Sequence, residues 1–321
     1  MRSAILVSFL AVLVASTVVL AQPPARKLTR ITETHSNELS VLILGSGAPP
    51  FNPNRSRPSA LVQYGTSNIL VDMGLGTERR LREENIQLGQ ITAFFLTHHH
   101  IDHNAELPAL LVASKVRGGE IKIFGPPGTE RYVRFLLDFY TEDIAYRTQK
   151  KGQALKTLLQ VSVRDLVGGE SFSLEGLTVR TTQVPHSIHT IAYRFDTPEG
   201  SIVISGDLTY SENLIELAQG ADLLVIDSGN LPTAGAKEAT SREQTQRQES
   251  RRRADPDREQ AHATLEQVAE MGQRAGVSCL VLTHITVPNV DEGAVRKRVG
   301  KIFKGNVVLA ADGLKLTARE K

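Results

Sequence analysis

Short apolar runs alternate with amphipathic segments from about residue 39 onwards. The runs "LSVLILGSG", "ITAFFLT" and "SIVISG" are short and rich in branched or aromatic residues, which predicts buried strands. Between such runs, "AELPALLVASKV", "TERYVRFLLDFY" and "EQAHATLEQVAEMGQRAG" repeat apolar residues at helical spacing. The runs "SALVQYG" and "NILVDMG", separated by Gly65 to Ser67, predict a hairpin. The alternation of strands and helices predicts an α/β layered fold.

The N-terminal segment departs from this pattern. Arg2 precedes the apolar run "AILVSFLAVLVASTVVLA", and polar "QPPARK" follows it. This order is typical of a secretory signal peptide, so we expect a signal over 1–21, cleavage after Ala21 and a linker over 22–38. An uncleaved membrane anchor is the alternative, because the run is just long enough to span a bilayer. In both cases the segment predicts a periplasmic or secreted protein whose only membrane contact is this signal or anchor.

Residues 232–259 also break the alternation, inside a catalytic domain predicted over 39–321. The stretch is almost free of apolar residues and mixes both charges, so it has little to bury. A solvated, mobile insertion is one interpretation. A lid whose Arg251, Arg252 and Arg253 contact an anionic substrate is the other.

Composition excludes little. The chain is 40% hydrophobic and 22% charged, as in ordinary globular proteins, and 37 basic residues nearly balance 35 acidic ones. Net charge therefore gives no general attraction for nucleic acid. The single cysteine, Cys279, lies in the apolar run "VSCLVLTHI" and has no partner for a disulfide. We expect a buried, inert thiol.

Candidate chemistry is concentrated in "LTHHHIDHN", residues 96–104, which holds four of the nine histidines. Buried imidazoles are costly unless each nitrogen has a partner, and a solvated histidine-rich loop is the bland alternative. Imidazole nitrogen and carboxylate oxygen are ligands that Zn²⁺ accepts. The spacing His98-x-His100-x-Asp102-His103 forms two pairs, and each pair can face its own ion. His99 would then point away and serve either packing or the support of a neighbouring ligand.

This motif, following an apolar strand, resembles the signature of the metallo-β-lactamase superfamily. The resemblance covers residues 39–318 and includes "LVDMG", "VPHSIHTIAYRF", the stretch from "SGD" to "LLVID", and "LVLTHI". It implies an α/β fold, a four-layer αβ/βα sandwich, that binds two zinc ions, with manganese or iron as alternatives. Matched residue by residue, it implies His98, His100 and His186 as ligands of the first ion. Asp102, His103 and His284 would bind the second ion, and Asp207 would bridge the two.

Some of these residues have other interpretations. His189 is an alternative to His186, although Pro185-His186 matches the spacing of the family. Asp207 can instead cap the following helix, and His284 can simply end a strand. Asp72 is expected to fix the turn at its strand end rather than bind metal.

The resemblance also implies a type of hydrolase. True β-lactamases lack an aspartate between their metals, so Asp207 favours phosphodiester, sulfate-ester or lactone substrates. The segment beginning "AHATLEQ" is similar to the His-x-Thr segment of the tRNase Z and arylsulfatase-like branch, which places His262 near the oxygens of the scissile ester. His262 would donate a proton to the leaving oxygen or stabilise charge, and Asp102 would accept a proton from the attacking water.

Two loops differ from the tRNase Z pattern. "DMGLGTERRL" lacks the expected acidic and Gln residues, and "THITVPN" lacks the Ser-x-Arg-Tyr type tail. Because export also separates the protein from tRNA, we expect no tRNA partner. The prediction is an exported dinuclear hydrolase of sulfate esters or phosphodiesters with a small anionic ester substrate. A lactonase, a tRNase Z-type ribonuclease and a non-catalytic metal-binding module are the alternatives.

Overall fold

The computed structural model describes residues 38–117, 121–149, 155, 159–229, 231–235 and 261–318. The predicted signal peptide, almost all of the predicted linker and most of the stretch 232–259 lie outside the described residues. These boundaries therefore stay predictions. No helix in the described ranges is both long enough and apolar enough to cross a membrane.

The described residues form two sheets of seven strands. The first contains β1 (Ser40–Gly45), β2 (Ser59–Tyr64), β3 (Ser67–Val71), β4 (Ala93–Phe95), β5 (Lys122–Gly125), β6 (Ser162–Asp165) and β14 (Leu314–Thr317), in the order β14-β1-β2-β3-β4-β5-β6. The second contains β7 (Ser171–Leu174), β8 (Leu177–Val184), β9 (Thr190–Asp196), β10 (Ser201–Ile204), β11 (Leu223–Asp227), β12 (Cys279–Thr283) and β13 (Asn306–Leu309), in the order β13-β12-β11-β10-β9-β8-β7. The predicted hairpin is present, since β2 and β3 pair antiparallel.

Helices cover the outer face of each sheet. The first sheet packs against α1 (Thr77–Glu83), α3 (Leu107–Arg117), α4 (Thr129–Phe139) and α5 (Thr141–Thr148), with a short 3₁₀ helix at Leu88–Gln90. The short helix α2 (Ile101–Asn104) follows the histidine run. The second sheet packs against α6 (Glu212–Leu217), α7 (Leu265–Ala275) and α8 (Glu292–Val299). The predicted four-layer αβ/βα sandwich is confirmed.

Alternation along each strand divides the core into three layers. In β1, Val41 and Ile43 face the other sheet, whereas Leu42 and Leu44 face the helices. Phe95 of the first sheet lies 5.1 Å from the ring of Tyr193 in the second, edge to face, at the centre of the inner layer. Cys279 is buried in the same layer, as expected, and burial raises the pKa of its thiol.

The helix predicted within "EQAHATLEQVAEMGQRAG" begins later than its apolar pattern suggests. The Thr264 hydroxyl accepts a hydrogen bond from the Gln267 amide, and the Gln267 side chain accepts one from the Thr264 amide. This capping box starts α7 at Leu265. His262 therefore lies in the preceding loop and not on the helix.

Candidate active site

The candidate residues converge where strands of both sheets end. From the first sheet, Asp72 follows β3, and the histidine run follows β4. From the second, His186 follows β8, Asp207 follows β10, Asp227 ends β11 and His284 follows β12. Parallel pairing aligns β10, β11 and β12, so their carboxyl ends meet at one edge. The structure thus brings all the residues proposed as metal ligands to the same place.

The first cluster consists of His98, His100, His186 and Asp207, whose ligand atoms lie within 4.8 Å of one another. The Nε2 atoms of His98 and His186 lie 3.1 Å and 3.2 Å from Nδ1 of His100. His186 Nδ1 donates to the carbonyl of Ala261, 2.7 Å away, which directs its Nε2 to the cluster. His98 Nδ1 lies 2.9 Å from the Thr97 hydroxyl in the same way.

The second cluster consists of Asp102, His103 and His284. Nε2 of His103 and Nε2 of His284 lie 3.6 Å and 3.5 Å from Oδ2 of Asp102. Both nitrogens are buried and have no hydrogen-bond partner among the described residues. Two buried imidazole nitrogens without partners, facing a carboxylate, form a donor set suited to a cation.

Asp207, a member of the first cluster, also reaches the second cluster and is almost fully buried. Its Oδ1 lies 3.3 Å from His103 Nε2, and its Oδ2 lies 3.1 Å from His284 Nε2 and 3.8 Å from His98 Nε2. One carboxylate is therefore in reach of both donor sets. This position agrees with the proposed bridging role, which stays a prediction.

Asp72 connects the first sheet to the second cluster. Its carboxylate accepts hydrogen bonds from the Thr97 amide and hydroxyl, each at 2.8 Å, so it does fix the end of its strand. It also lies 2.8 Å from His103 Nδ1. Because His103 donates through Nδ1, its Nε2 lone pair points to the cluster. Asp72 orients a candidate ligand, a role beyond the predicted turn.

Asp227 is a functional residue of the site that no sequence motif predicts. Its Oδ2 lies 2.6 Å from Nδ1 of His262, and its Oδ1 lies 3.5 Å from Nδ1 of His284. His262 is thereby held beside the clusters, with 31% of its side chain exposed. The pattern that could have revealed Asp227 is the charged end of the apolar strand "LLVID", since its neighbour β10 also leads into an aspartate.

The pKa values show how the site carries its charge. Burial lowers the pKa of His98 well below its ordinary value, and the neighbouring imidazoles lower it further. Burial would also lower the pKa of His284, but Asp207 and Asp227 outweigh it and raise the pKa to about 10. The buried carboxylates therefore stabilise the protonated form of a neighbouring imidazole. A divalent cation can replace that proton and supply the same positive charge. The donor set fits two cations.

Besides His262, two histidines near the site belong to neither cluster. His99 turns away, with its Nε2 3.2 Å from the Thr129 hydroxyl and its ring edge to face with Tyr132. This placement agrees with the predicted packing role. His189, the alternative to His186, is absent from the groups of potential metal ligands that the described residues form. Its Nε2 is buried and has no partner in the same part of the chain.

Comparison with known proteins gives concordant results. Residues 67–285 match the family described as "Beta-lactamase superfamily domain". The chain is 32% identical over 262 residues to "Ribonuclease Z" of Mycobacterium bovis, covering 79% of this chain and 88% of the relative. In fold, it resembles the metallo-β-lactamase fold protein YhfI of Bacillus subtilis, with TM-score 0.67, 19% identity and coverage of 88% and 100%. It also resembles the short form of human tRNase Z, with TM-score 0.61, 22% identity and coverage of 87% and 99%.

These relatives correct two expectations. The prediction of a small anionic ester as partner and of no tRNA is wrong, because the matching relatives are named Ribonuclease Z. The prediction of a periplasmic or secreted protein is also wrong, because export conflicts with that family. The error about location began with the apolar run before Gln22, and the error about tRNA began with that run and with the two loops that differ from the tRNase Z pattern. That run is short and is recognised only by its hydrophobicity, whereas the similarity to the Ribonuclease Z relatives extends over most of the chain. The family match includes the loops of the site.

Proposed function

The chain belongs to the β-lactamase superfamily, and from this membership we propose that it is a metal-dependent hydrolase that cleaves phosphodiester bonds in RNA, as a ribonuclease Z does. The observation that carries the proposal is the position of Asp207, within 3.3 Å of His103 Nε2 and 3.1 Å of His284 Nε2 and beside the first cluster. A carboxylate shared by two donor sets suits a pair of cations acting on one ester. The relatives named Ribonuclease Z supply the substrate class.

The residues of the two clusters also favour one kind of metal ion over another. Five imidazoles and two carboxylates make up the two clusters, namely His98, His100, His103, His186, His284, Asp102 and Asp207. Imidazole-rich sites favour zinc over magnesium, which prefers oxygen ligands. We therefore propose two zinc ions. When bound, a pair of such ions lowers the pKa of water and shares the charge that develops on an attacked phosphorus.

His262 is proposed to deliver a proton. Its Nδ1 donates to Asp227, so its Nε2 is the nitrogen left to face a substrate. Burial would lower the pKa of His262, but the hydrogen bond and charge of Asp227 outweigh it and raise that pKa. Asp227 therefore favours the imidazolium form of His262, which is the form that can donate a proton to the leaving oxygen.

Asp102 is proposed as a ligand that also accepts a proton from the attacking water. Burial would raise the pKa of Asp102, but His284 and His103 outweigh it and lower the pKa below its usual range. Asp102 is therefore ionised at neutral pH and available as an acceptor.

The experiment compares substrates on one preparation of the full chain. Purified protein is analysed for metal content, then assayed on a precursor tRNA with a 3′ extension, bis(p-nitrophenyl) phosphate, p-nitrophenyl sulfate and a lactone. We expect about two zinc ions per chain, removal of the 3′ extension, cleavage of the phosphodiester, and loss of both activities after chelation.

The variant His100→Ala tests whether the activity belongs to this site, and His99→Gln is its matched control from the same loop. Activity should disappear in the first variant and persist in the second. Cleavage of the sulfate or the lactone without cleavage of either phosphodiester would overturn the proposal.

A further inference from the structure

Four exposed hydrophobic side chains lie on segments that contain or contact the candidate metal ligands. Phe51 is 80% exposed, Ile101 73%, Leu75 57% and Ile188 37%. These four residues are called the apolar rim below. Single exposed apolar residues are common on protein surfaces, but a group of them beside polar residues is typical of a ligand-binding surface.

Backbone contacts hold the rim against the clusters. The Arg57 amide donates to the carbonyl of Leu75 at 2.9 Å, and the Arg57 guanidinium donates to the carbonyl of Pro50 at 3.2 Å. Arg57 thus ties the loop of Phe51 to the loop of Leu75. That second loop touches the histidine run, since a Cβ added to Gly74 would lie 2.3 Å from the carbonyl oxygen of Asp102.

The other two rim residues are neighbours of candidate ligands in the sequence. Ile101 lies between His100 and Asp102, and Ile188 follows His186 by two positions. Neither Ile101 nor Phe51 belongs to any of the hydrophobic clusters of the described core. The packing of the fold therefore gives no reason for apolar side chains at these positions.

The positive charge of Arg57 narrows the kinds of ligand that the apolar rim can bind. Arg57 is half-buried, and its guanidinium donates to the carbonyl of Pro50, next to Phe51. No ion pair joins Arg57 to a carboxylate among the described residues, so its positive charge is not neutralised there. One aromatic ring, aliphatic neighbours and a guanidinium suit a flat, uncharged group that carries a phosphate. A nucleobase has this chemistry, because every base has a π-face that stacks on an aromatic ring.

We propose that the apolar rim binds an unpaired nucleobase next to the scissile phosphate, with Phe51 as its stacking partner. This inference rests on the proposed function, since it places a nucleotide at the site. Leu75 and Ile101 flank the base, and Arg57 neutralises the phosphate of the same nucleotide. Phe51 acts as a specificity-determining residue, because it contacts the substrate beside the reacting atoms without entering either cluster.

Binding of two ligands that differ only in the base tests the proposal. Adenosine 5′-monophosphate and ribose 5-phosphate are titrated by calorimetry into the metal-loaded full chain, and neither needs to be cleaved. Stacking of a base on an aromatic side chain contributes about 1–3 kcal/mol, so the nucleotide should bind wild-type protein roughly five- to a hundredfold more tightly. Phe51→Ala should bring the two affinities close together, and Phe51→Trp should keep the preference.

Phe139→Ala is the matched control. Phe139 is an exposed aromatic at the far end of α4, about 15 Å along the helix axis from Thr129, so its removal should leave the preference unchanged. Equal binding of the two ligands by wild-type protein, or an unchanged preference in Phe51→Ala, overturns the inference. The cleavage assays above test the proposed function separately, because the binding measurement does not depend on turnover.

Discussion

The two sheets build their halves of the site in different ways. The first sheet contributes one short segment after β4, a loop followed by the helical turn α2, in which His98, His100, Asp102 and His103 fall within six consecutive residues. The second contributes His186, Asp207, Asp227 and His284 from the ends of four separate strands, and His262 from the loop before α7. A local motif sets the first half, whereas strand order and pairing assemble the second.

Each half also contains a carboxylate that orients a histidine, but the two histidines differ in exposure. Asp72 holds His103 at 2.8 Å, and His103 is buried with its Nε2 directed at the second cluster. Asp227 holds His262 at 2.6 Å, and 31% of the His262 side chain is exposed. The same pair of groups, a carboxylate and an imidazole, therefore suits a metal ligand at His103 and a substrate contact at His262.

The largest expected effect on metal content and kcat distinguishes Asp207, a candidate ligand of both ions, from His100, a candidate ligand of one. Asp207→Asn removes the negative charge that both clusters share, so we expect both ions to be lost. We expect kcat to fall more than about a thousandfold, which is more than the loss of a single transition-state hydrogen-bond donor typically costs. His100→Ala removes a ligand of the first cluster only and should leave the second ion bound. Metal analysis of the two purified variants measures the difference. Equal metal loss in both variants would contradict the bridging position of Asp207.

The next effect concerns the substrate side of the second half. His262→Ala should keep both metals and the melting temperature while kcat falls about a hundredfold or more. If His262 acts as a general acid, the fall should be smaller for phosphodiesters with very acidic leaving groups, which need no proton. The assay is a series of aryl phosphodiesters of graded leaving-group pKa. An unchanged kcat for every member would remove His262 from the chemistry.

A smaller effect compares the two orienting carboxylates. Removal of a partner that orients a metal ligand typically costs 10–100-fold in metal affinity or activity. Asp72→Asn should lower metal affinity by roughly that factor, because His103 loses the acceptor that fixes its ring. Asp227→Asn should lower kcat by a similar factor and add little to the effect of His262→Ala in the double variant.

Chelator titration and steady-state kinetics on the single and double variants distinguish these results. Multiplicative losses of kcat in the Asp227 and His262 double variant would show that the two residues act independently. Unchanged metal affinity in Asp72→Asn would show that Asp72 serves only the strand end.

The smallest effect lies within the histidine run itself. His99→Gln removes a contact with Thr129 and Tyr132 on α4, so we expect the free energy of unfolding to fall by about 1 kcal/mol. Metal content and kcat should not change. Denaturant unfolding and metal analysis check this, and loss of an ion from the variant would place His99 at the site after all.

Much of the fold could be predicted from the sequence because the pattern of apolar and polar residues along the chain follows which side chains are buried. Strands such as β1 and β11 are apolar on both faces, as expected for strands covered on one side by helices and on the other by a second sheet. The amphipathic period of α4 and α7 marked the helices. The start of α7 was misplaced because the capping box at Thr264, and not the apolar period, ends the preceding loop.

The sequence alone determined the local half of the site and the family, because six residues in one loop are neighbours in any fold. It also suggested His186, Asp207, His262 and His284 through the resemblance. Only the tertiary structure decided that Asp227 supports His262, that Asp72 orients His103, and that Gly74 packs against the backbone of Asp102. These contacts join residues more than 20 positions apart, and no spacing along the chain encodes them. Sheet pairing and loop packing fix them, since a strand end has neighbours only once its sheet has formed.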